Sequence, residues 1–129
     1  MARILLVEDD SAFAYTLTRF LRADGHEVLT CDGPIQALEA LESDRPIDLL
    51  VTDVNLAEGM PHGFSLGRMA KLRRAGLPVV FITGFPDVAK SDSTPPGPVM
   101  FKPFALDTLS ATIADQLALA RAAAVRPYR

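Results

Sequence analysis

Charged and hydroxyl side chains follow four of the apolar runs in this 129-residue sequence, at the point where each run ends. In chain order these residues are Glu8, Asp9 and Asp10 after the first run, Asp53 after the third, Thr83 in the fourth and Lys102 after the fifth. Converging carboxylates with no histidine or cysteine beside them would form an all-oxygen site, which suits Mg²⁺ held together with phosphate and water. A lysine adds a positive charge for a phosphoryl group, and a threonine hydroxyl can hydrogen-bond a phosphoryl oxygen. These residue types predict a phosphoryl-transfer site, where positioning and charge neutralisation do most of the catalytic work.

Asp53 is the predicted nucleophile, because aspartate is a known phosphoryl acceptor and this one lies between an apolar run and a loop. Each residue taken alone also has a simpler structural explanation. Acids such as those at 8–10 stabilise the N-terminus of a helix, aspartate and threonine are common at strand ends, and Lys102 could lie in a solvated loop. The functional interpretation therefore depends on all four run ends carrying a suitable group at once and in chain order.

The apolar runs themselves predict five buried strands that would position these groups. The runs are Ile4–Val7, Val28–Cys31, Leu49–Thr52, Val79–Thr83 and Val99–Phe101. Apolar residues at helical spacing predict helices over Phe13–Leu21, Ile35–Leu41, Phe64–Leu72 and Leu106–Ala120. Near-continuous apolar strands that alternate with helices are typical of a parallel sheet covered on both faces, so the predicted fold class is α/β, a (βα)5 arrangement. The carboxyl ends of its strands would meet at one edge, where functional groups collect.

The connection between the fourth and fifth strands departs from this alternation. Residues Gly84–Pro98 contain four prolines and two glycines, which forbid a long helix. We therefore predict that the fourth helix is short, a turn or two around Asp87–Lys90, or is replaced by a loop.

The composition is typical of one globular domain, with 49% hydrophobic and 22% charged residues. We expect this domain to span residues 1–125 and to be followed by a C-terminal tail at residues 126–129. The formal net charge of -3 gives no reason to expect nucleic-acid binding, which needs a clustered basic surface. The first apolar run is too short for a signal peptide or a membrane span, and the single cysteine, Cys31, permits no intrachain disulfide. A cytoplasmic protein without a membrane partner is the default expectation.

The motifs at the run ends resemble those of the receiver domains of bacterial response regulators, and the resemblance covers nearly the whole chain. The matching segments are Ile4–Asp10, Leu49–Asp53, Gly63-Phe64, Pro78–Gly84 and Phe101–Phe104. The resemblance implies a doubly wound five-stranded parallel sheet with the flavodoxin-like strand order 2-1-3-4-5. It also implies a chemotaxis-regulator-like, stand-alone regulator of two-component signal transduction, which is a phospho-acceptor with self-catalysed phosphorylation and dephosphorylation rather than an enzyme.

The same resemblance implies a role for each site residue. Asp53 would accept a phosphoryl group from a phosphohistidine on a sensor histidine kinase or a histidine phosphotransfer protein. Asp9 and Asp53 would ligate Mg²⁺ directly, and the backbone carbonyl of Asn55 would complete the protein ligands. Glu8 would act at the metal directly or through water. The two remaining side chains would contact the phosphoryl oxygens: Thr83 and Lys102.

Two departures from the common family pattern affect how a signal would leave. Many receivers place an aromatic switch residue three positions before the lysine, whereas this chain has Val99. The segment Phe81–Phe85 resembles a receiver subfamily described by the phrase Phe-Ala-Thr-Gly-hydrophobic-Tyr, with Ile82 in place of the alanine and Pro86 in place of the tyrosine. We expect the signal to pass to an unknown downstream protein, and the chain to be a monomer or a weak phosphorylation-dependent dimer.

A phosphohydrolase of the haloacid dehalogenase type is the main alternative, because such enzymes also use a nucleophilic aspartate, a threonine, a lysine and acidic metal ligands on a doubly wound sheet. Their nucleophile normally follows the first strand in an Asp-x-Asp pair, a spacing that Glu8-Asp9-Asp10 lacks. A flavodoxin-like nucleotide binder is disfavoured, since no Gly-x-Gly-x-x-Gly segment follows the first strand.

Overall fold

The computed structural model describes residues 1–56, 62–85 and 94–124, in which five strands alternate with helices. The strands are β1 (Arg3–Val7), β2 (Glu27–Cys31), β3 (Leu49–Asp53), β4 (Val79–Thr83) and β5 (Val99–Phe101). The helices in this part of the chain are α1 (Ser11–Ala23), α2 (Pro34–Glu42), α3 (Gly63–Arg73) and α4 (Leu106–Ala124). The short helix or loop predicted around Asp87–Lys90 lies outside the described residues, and so does the predicted tail at 126–129.

All five strands pair in parallel in one sheet with the order β2-β1-β3-β4-β5. The predicted α/β fold class and strand order are therefore confirmed. Helices α1 and α4 pack on one face of the sheet and helices α2 and α3 on the other. Because β1 and β3 lie side by side at the centre, with β4 and β5 beyond them, the carboxyl ends of these four strands line one continuous edge.

The central strand β1 supplies side chains to both hydrophobic cores. Ile4 and Leu6 pack with α1 and α4, whereas Leu5 and Val7 pack with α2 and α3, because successive side chains of a strand point to opposite faces. Burying one such side chain stabilises the fold by roughly 1.5–3 kcal/mol. Burial on both faces is the physical reason why the strands form continuous apolar runs in the sequence.

The start of α1 is fixed by the acid that follows the two carboxylates at the tip of β1. Asp10 Oδ1 accepts hydrogen bonds from the backbone amides of Ala12 (3.0 Å) and Phe13 (3.1 Å), which is an N-cap. Because Asp10 is the N-cap, the side chain of this one of the three consecutive acids points toward the first turn of α1. The other two, Glu8 and Asp9, remain at the edge of the sheet.

Residues that lead into β5 lie directly against β4. The amide of Phe81 donates a hydrogen bond to the carbonyl of Pro98 at 2.8 Å. A Cβ atom at Gly97 would overlap the carbonyl oxygen of Val79, so the close approach of these two backbones requires glycine. The short edge strand is thereby held in register with β4 and brings Lys102 to the end of the sheet.

Candidate functional site

The predicted site residues all lie along the carboxyl edge of the sheet. Glu8 and Asp9 follow β1, Asp53 ends β3, Thr83 ends β4, and Lys102 follows β5. The side chains of Glu8, Asp53 and Thr83 are buried, whereas Asp9 is exposed. One carboxylate oxygen from each of the three acids at 8, 9 and 53 lies within 4.8 Å of the others. The strand ends that the sequence identified are therefore brought together.

Lys102 connects the carboxylates of β1 and β3. Its Nζ atom donates hydrogen bonds to Glu8 Oε1 and to Asp53 Oδ2, both at 3.1 Å. The backbone amide of Lys102 also donates to the carbonyl of Thr83 at 2.8 Å, which fixes the start of the loop after β5. Two negative charges close together are thus offset by one ammonium group, with bonds strengthened by charge.

The backbone around Asp53 orients its carboxylate. The amide of Asn55 donates to Asp53 Oδ1 at 3.0 Å, while Oδ2 accepts the bond from Lys102. The amide of Val54 donates to the carbonyl of Ile82 at 2.8 Å, so the strand pairing continues past the end of β3. The Asp53 carboxylate is therefore held from both of its oxygens.

Helix α3 begins in contact with the end of β3, and this contact needs a glycine. A Cβ atom on Gly63 would overlap the carbonyl oxygen of Asp53 and approach the Cα of Val54 to 2.5 Å. The Gly63 amide donates to the Val54 carbonyl at 2.9 Å, and His62 caps the helix by accepting a bond from the Phe64 amide at 3.3 Å. His62 therefore caps α3 at the edge of the site.

The response regulator receiver domain family matches residues 4–114 of the chain. This chain belongs to that family. The strand order described above is that of the receiver fold, and the resemblance inferred from the sequence motifs is confirmed.

Two solved structures and a curated relative are similar to this receiver. The cell cycle transcriptional regulator CtrA of Caulobacter vibrioides is 30% identical over 114 residues, which are 86% of this chain and 48% of CtrA. A receiver protein from Sinorhizobium medicae is 26% identical with a TM-score of 0.84, and the match covers 92% of this chain and 96% of that one. The receiver domain of the hybrid histidine kinase CckA is 34% identical with a TM-score of 0.74, over 89% of this chain and 98% of that domain. The chain spans about half the length of the curated relatives it matches.

Burial and charge set the protonation behaviour of two groups in the receiver's site. Burial raises the pKa of the Glu8 carboxyl to about 7, and the negative charge of Asp53 acts in the same direction, against the Asp10 amide and Lys102. Burial alone would lower the pKa of Lys102, but its hydrogen bond to Glu8 and the two negative charges outweigh burial, so that the pKa is raised. The site therefore favours the protonated forms of both groups, the neutral Glu8 carboxyl and the Lys102 ammonium.

The Thr83 hydroxyl faces the backbone that follows β4. Its Oγ1 atom accepts a hydrogen bond from the amide of Phe85 at 3.0 Å, and the side chain is fully buried. The hydroxyl also donates a long hydrogen bond to the Phe85 carbonyl at 3.5 Å, so it would have to turn away from that carbonyl to donate to a phosphoryl oxygen. The predicted role of Thr83 is compatible with this geometry and stays a prediction.

One residue next to the site was not singled out from the sequence. The ring of Phe13 lies 4.5 Å from Lys102 Nζ, measured to the ring centroid, and packs edge-on against the ring of Phe104 at 6.0 Å. In the sequence, Phe13 is only the first member of an apolar helical pattern. No signal in that pattern connects it with a lysine at the other end of the chain.

Among the residues that the structure describes, no helix is both long and apolar enough to cross a membrane.

Proposed function

We propose that this receiver accepts a phosphoryl group on Asp53 from the phosphohistidine of a sensor histidine kinase or a histidine phosphotransfer protein, in a magnesium-dependent reaction. The observation that supports this most is the meeting of three carboxylates and the Lys102 ammonium at one edge of the sheet. CckA, whose receiver domain is similar to this chain, is a hybrid histidine kinase, which supports a partner of this class.

The donor set fits Mg²⁺. Its ligands are hard carboxylate oxygens that lie within 4.8 Å of one another, and Mg²⁺ takes oxygen ligands at about 2.0–2.1 Å, so that opposite ligands lie about 4 Å apart. Asp9 and Asp53 would hold the metal directly, together with the backbone carbonyl of Asn55, and Glu8 would act directly or through water. Bound Mg²⁺ would neutralise negative charge on the phosphoryl oxygens.

The chain's own residues would supply the nucleophile and two donors. A carboxylate oxygen of Asp53 would attack phosphorus, so that an O–P bond forms while the P–N bond to the donor histidine breaks and its electron pair stays on the imidazole nitrogen. The product on this chain would be an acyl phosphate. The Lys102 ammonium and the Thr83 hydroxyl would donate hydrogen bonds to phosphoryl oxygens as negative charge shifts between donor and acceptor.

The finer parts of the proposal concern how the receiver is used. We propose a phospho-acceptor whose only turnover is self-catalysed phosphorylation and dephosphorylation, acting in the cytoplasm and passing the signal to a downstream protein by contact. We also propose that the receiver acts as a stand-alone unit and does not bind nucleic acid. In this proposal it is a monomer or a weak phosphorylation-dependent dimer. The subfamily assignment stays a prediction based on the Phe81–Phe85 motif.

Phosphorylation by a small phosphodonor tests the proposal. We expect acetyl phosphate with Mg²⁺ to add one phosphoryl group per chain by intact-mass spectrometry, and we expect a chelator to prevent the addition. Asp53→Asn should abolish uptake with an unchanged circular dichroism spectrum, because the nucleophilic oxygen is replaced by an amide. Asp10→Asn is a matched control that keeps a good helix cap and should be labelled normally.

Two results would contradict the proposal. Single-site labelling that persists in Asp53→Asn would place the acceptor elsewhere. Steady hydrolysis of external phosphoesters without a labelled chain would instead favour the phosphohydrolase alternative.

A further inference from the structure

The aromatic ring of Phe13 contacts the lysine of the site but takes no part in the proposed reaction. We propose that Phe13 is a positioning residue for phosphoryl transfer, whose ring holds the Lys102 ammonium in place while the carboxylates around it change partners. This inference rests on the proposed function, because it assumes that Lys102 acts on the phosphoryl group.

The geometry is that of a cation–π contact. Lys102 Nζ lies 4.5 Å from the centroid of the Phe13 ring, within the range of about 6 Å over which the negative face of a ring attracts an ammonium group. The Lys102 side chain is only 28% exposed, so water screens the contact incompletely. Such contacts are stronger where the cation is partly desolvated.

The ring is fixed from two sides. At its backbone, the Phe13 amide donates to the capping Asp10 Oδ1 at 3.1 Å, in the first turn of α1. At its other side, the Phe104 ring packs edge-on at 6.0 Å with an interplanar angle of 72°. Phe104 follows Lys102 by two residues, so one short loop supplies both the ammonium and the ring that braces its aromatic partner.

The ring is the Lys102 partner that phosphorylation leaves chemically unchanged. Among the residues that the structure describes, Nζ also contacts Glu8 Oε1 and Asp53 Oδ2, which are carboxylates of the proposed metal and acceptor site. When Asp53 becomes an acyl phosphate, its charge and its free oxygens change. The Phe13 ring carries no transferable or titratable group, so its hold on the ammonium does not depend on the state of Asp53.

A leucine at position 13 would keep an apolar side chain in the core but would lack the negative ring face. The ammonium would then spend less time over the site, and the rate of transfer would fall with the fraction of correctly placed lysine. From the strength of such contacts we expect a loss of about two- to tenfold in the labelling rate.

Two measurements on a variant series test this role. The first is the initial rate of labelling by acetyl phosphate at saturating Mg²⁺. The second is the NMR chemical shift of the Lys102 ε-methylene group in protein with isotope-enriched lysine. The spectrum of such a protein contains few signals, because the chain has three lysines. We expect Phe13→Leu to slow labelling and to remove the ring-current shift, and Phe13→Tyr to preserve both.

A matched control lies on the same helix. Tyr15 is 63% exposed and its ring contacts Arg19 at 5.7 Å, so Tyr15→Leu removes an aromatic ring of α1 that stacks on a different cation. It should change neither measurement. If Phe13→Leu does not fold, 4-fluoro- and 3,4,5-trifluorophenylalanine at position 13 keep the ring shape while weakening its negative face, and the labelling rate should fall stepwise along that series.

The possible failures are distinguishable. A Phe13→Leu chain that is labelled at the wild-type rate, or a fluorinated series with no trend, would overturn the positioning role and leave the proposed function intact. A wild-type chain that gains no phosphoryl group would overturn the proposed function and this inference with it. If the Lys102 ε-methylene signal of the isotope-enriched wild type shows no ring-current shift, the contact between the Phe13 ring and Lys102 itself is overturned.

Discussion

Two ionisable residues at the strand ends are buried, although burial disfavours the charged form of an ionisable group. Glu8 and Asp53 are almost completely buried, yet both are acids, and burial of an ionised carboxylate is costly unless it is paired. Lys102 is the partner of both. Asp9 is the exposed member of the acidic cluster, so its carboxylate adds negative charge to the site without depending on the same ion pair.

Replacing Asp9 should weaken metal binding while leaving the fold intact. We expect Mg²⁺ to stabilise the wild-type chain and to stabilise Asp9→Ala much less, because one of the proposed ligating carboxylates is lost. At a metal concentration 100 times the wild-type Kd, the stabilisation of the wild type should be about 2.7 kcal/mol. In metal-free buffer the variant should be slightly more stable than the wild type, since one of three mutually repelling carboxylates is gone.

Thermal melts with and without Mg²⁺ measure both effects of the Asp9 substitution. Asp115→Ala removes an exposed acid from the middle of α4 and should respond to the metal as the wild type does. An equal rise of melting temperature in Asp9→Ala and wild type would exclude Asp9 as a ligand.

At the scale of the elements, the sequence predicted the strands better than the faces of the helices. Every strand predicted from an apolar run is present, because burial on both sides leaves little room for polar residues. Helical spacing marked the buried side of α1 and α4, at Leu17, Leu21, Leu109, Ile113 and Leu117. It was less selective in α2 and α3, where Ile35 is 57% exposed and Leu72 is 80% exposed. In α2 the buried residues are instead Pro34, Ala37 and Leu41, so a short helix with apolar residues on several sides has no single face that spacing can select.

The carboxyl edge was predictable for the same reason that the sheet was. Once parallel strands are inferred, their C-terminal ends must meet at one edge, and Asp53 and Lys102 follow from position alone. The contact of Phe13 with Lys102 was not predictable, since it depends on how α1 and the loop after β5 pack against each other. Gly63 entered the sequence analysis only as part of the family motif Gly63-Phe64, and the physical reason for a glycine there is the approach of α3 to the end of β3.

Substitution of Gly63 should disturb both the packing of α3 and the acceptor site. A Cβ atom there would overlap the Asp53 carbonyl oxygen, so α3 and the end of β3 must move apart. We expect Gly63→Ala to lower the free energy of unfolding by about 1–3 kcal/mol, the usual cost of overpacking. It should also slow labelling by acetyl phosphate, because the Asp53 backbone shifts with its carbonyl.

The matched control for Gly63→Ala is Gly33→Ala, at the glycine that precedes α2. A Cβ at Gly33 would meet nothing within 4 Å, so urea unfolding should show a smaller loss of stability and labelling should be unchanged. Equal effects of the two substitutions would show that the loss comes from glycine's conformational freedom rather than from the contact with Asp53.

At the scale of the whole molecule, the central sheet couples the site to global stability. Each of the two cores is built on the same strands that end in the site residues, so a change of charge at Glu8 acts directly at the tip of the buried central strand β1. The amide of Glu8 also extends the pairing of β1 with β2 by donating to the Cys31 carbonyl at 3.1 Å. The free energy of unfolding should therefore report the protonation of Glu8.

In metal-free buffer, we expect Glu8 to make the receiver less stable as the pH rises from about 4.5 to about 7. The pKa of its carboxyl is raised from 4.5 to about 7 in the folded chain, mainly by burial. Below pH 4.5 the group is protonated in both states, and its contribution to stability is fully present. Between these values the unfolded chain releases a proton that the folded chain retains, so this contribution shrinks and is lost as the pH passes through the folded pKa.

Urea unfolding across this pH range, compared between wild type and Glu8→Gln, isolates the contribution of Glu8, because other titrating groups act on both proteins alike. The stability of the wild type relative to the variant should decline toward neutral pH and then become constant, since above the folded pKa both states are ionised. A difference that stays flat across the window would mean that the Glu8 carboxyl has the same pKa in the folded and the unfolded chain. A difference that increases with pH would show that pairing with Lys102 outweighs burial and that the carboxylate, not the acid, is the stabilising form at this edge of the sheet.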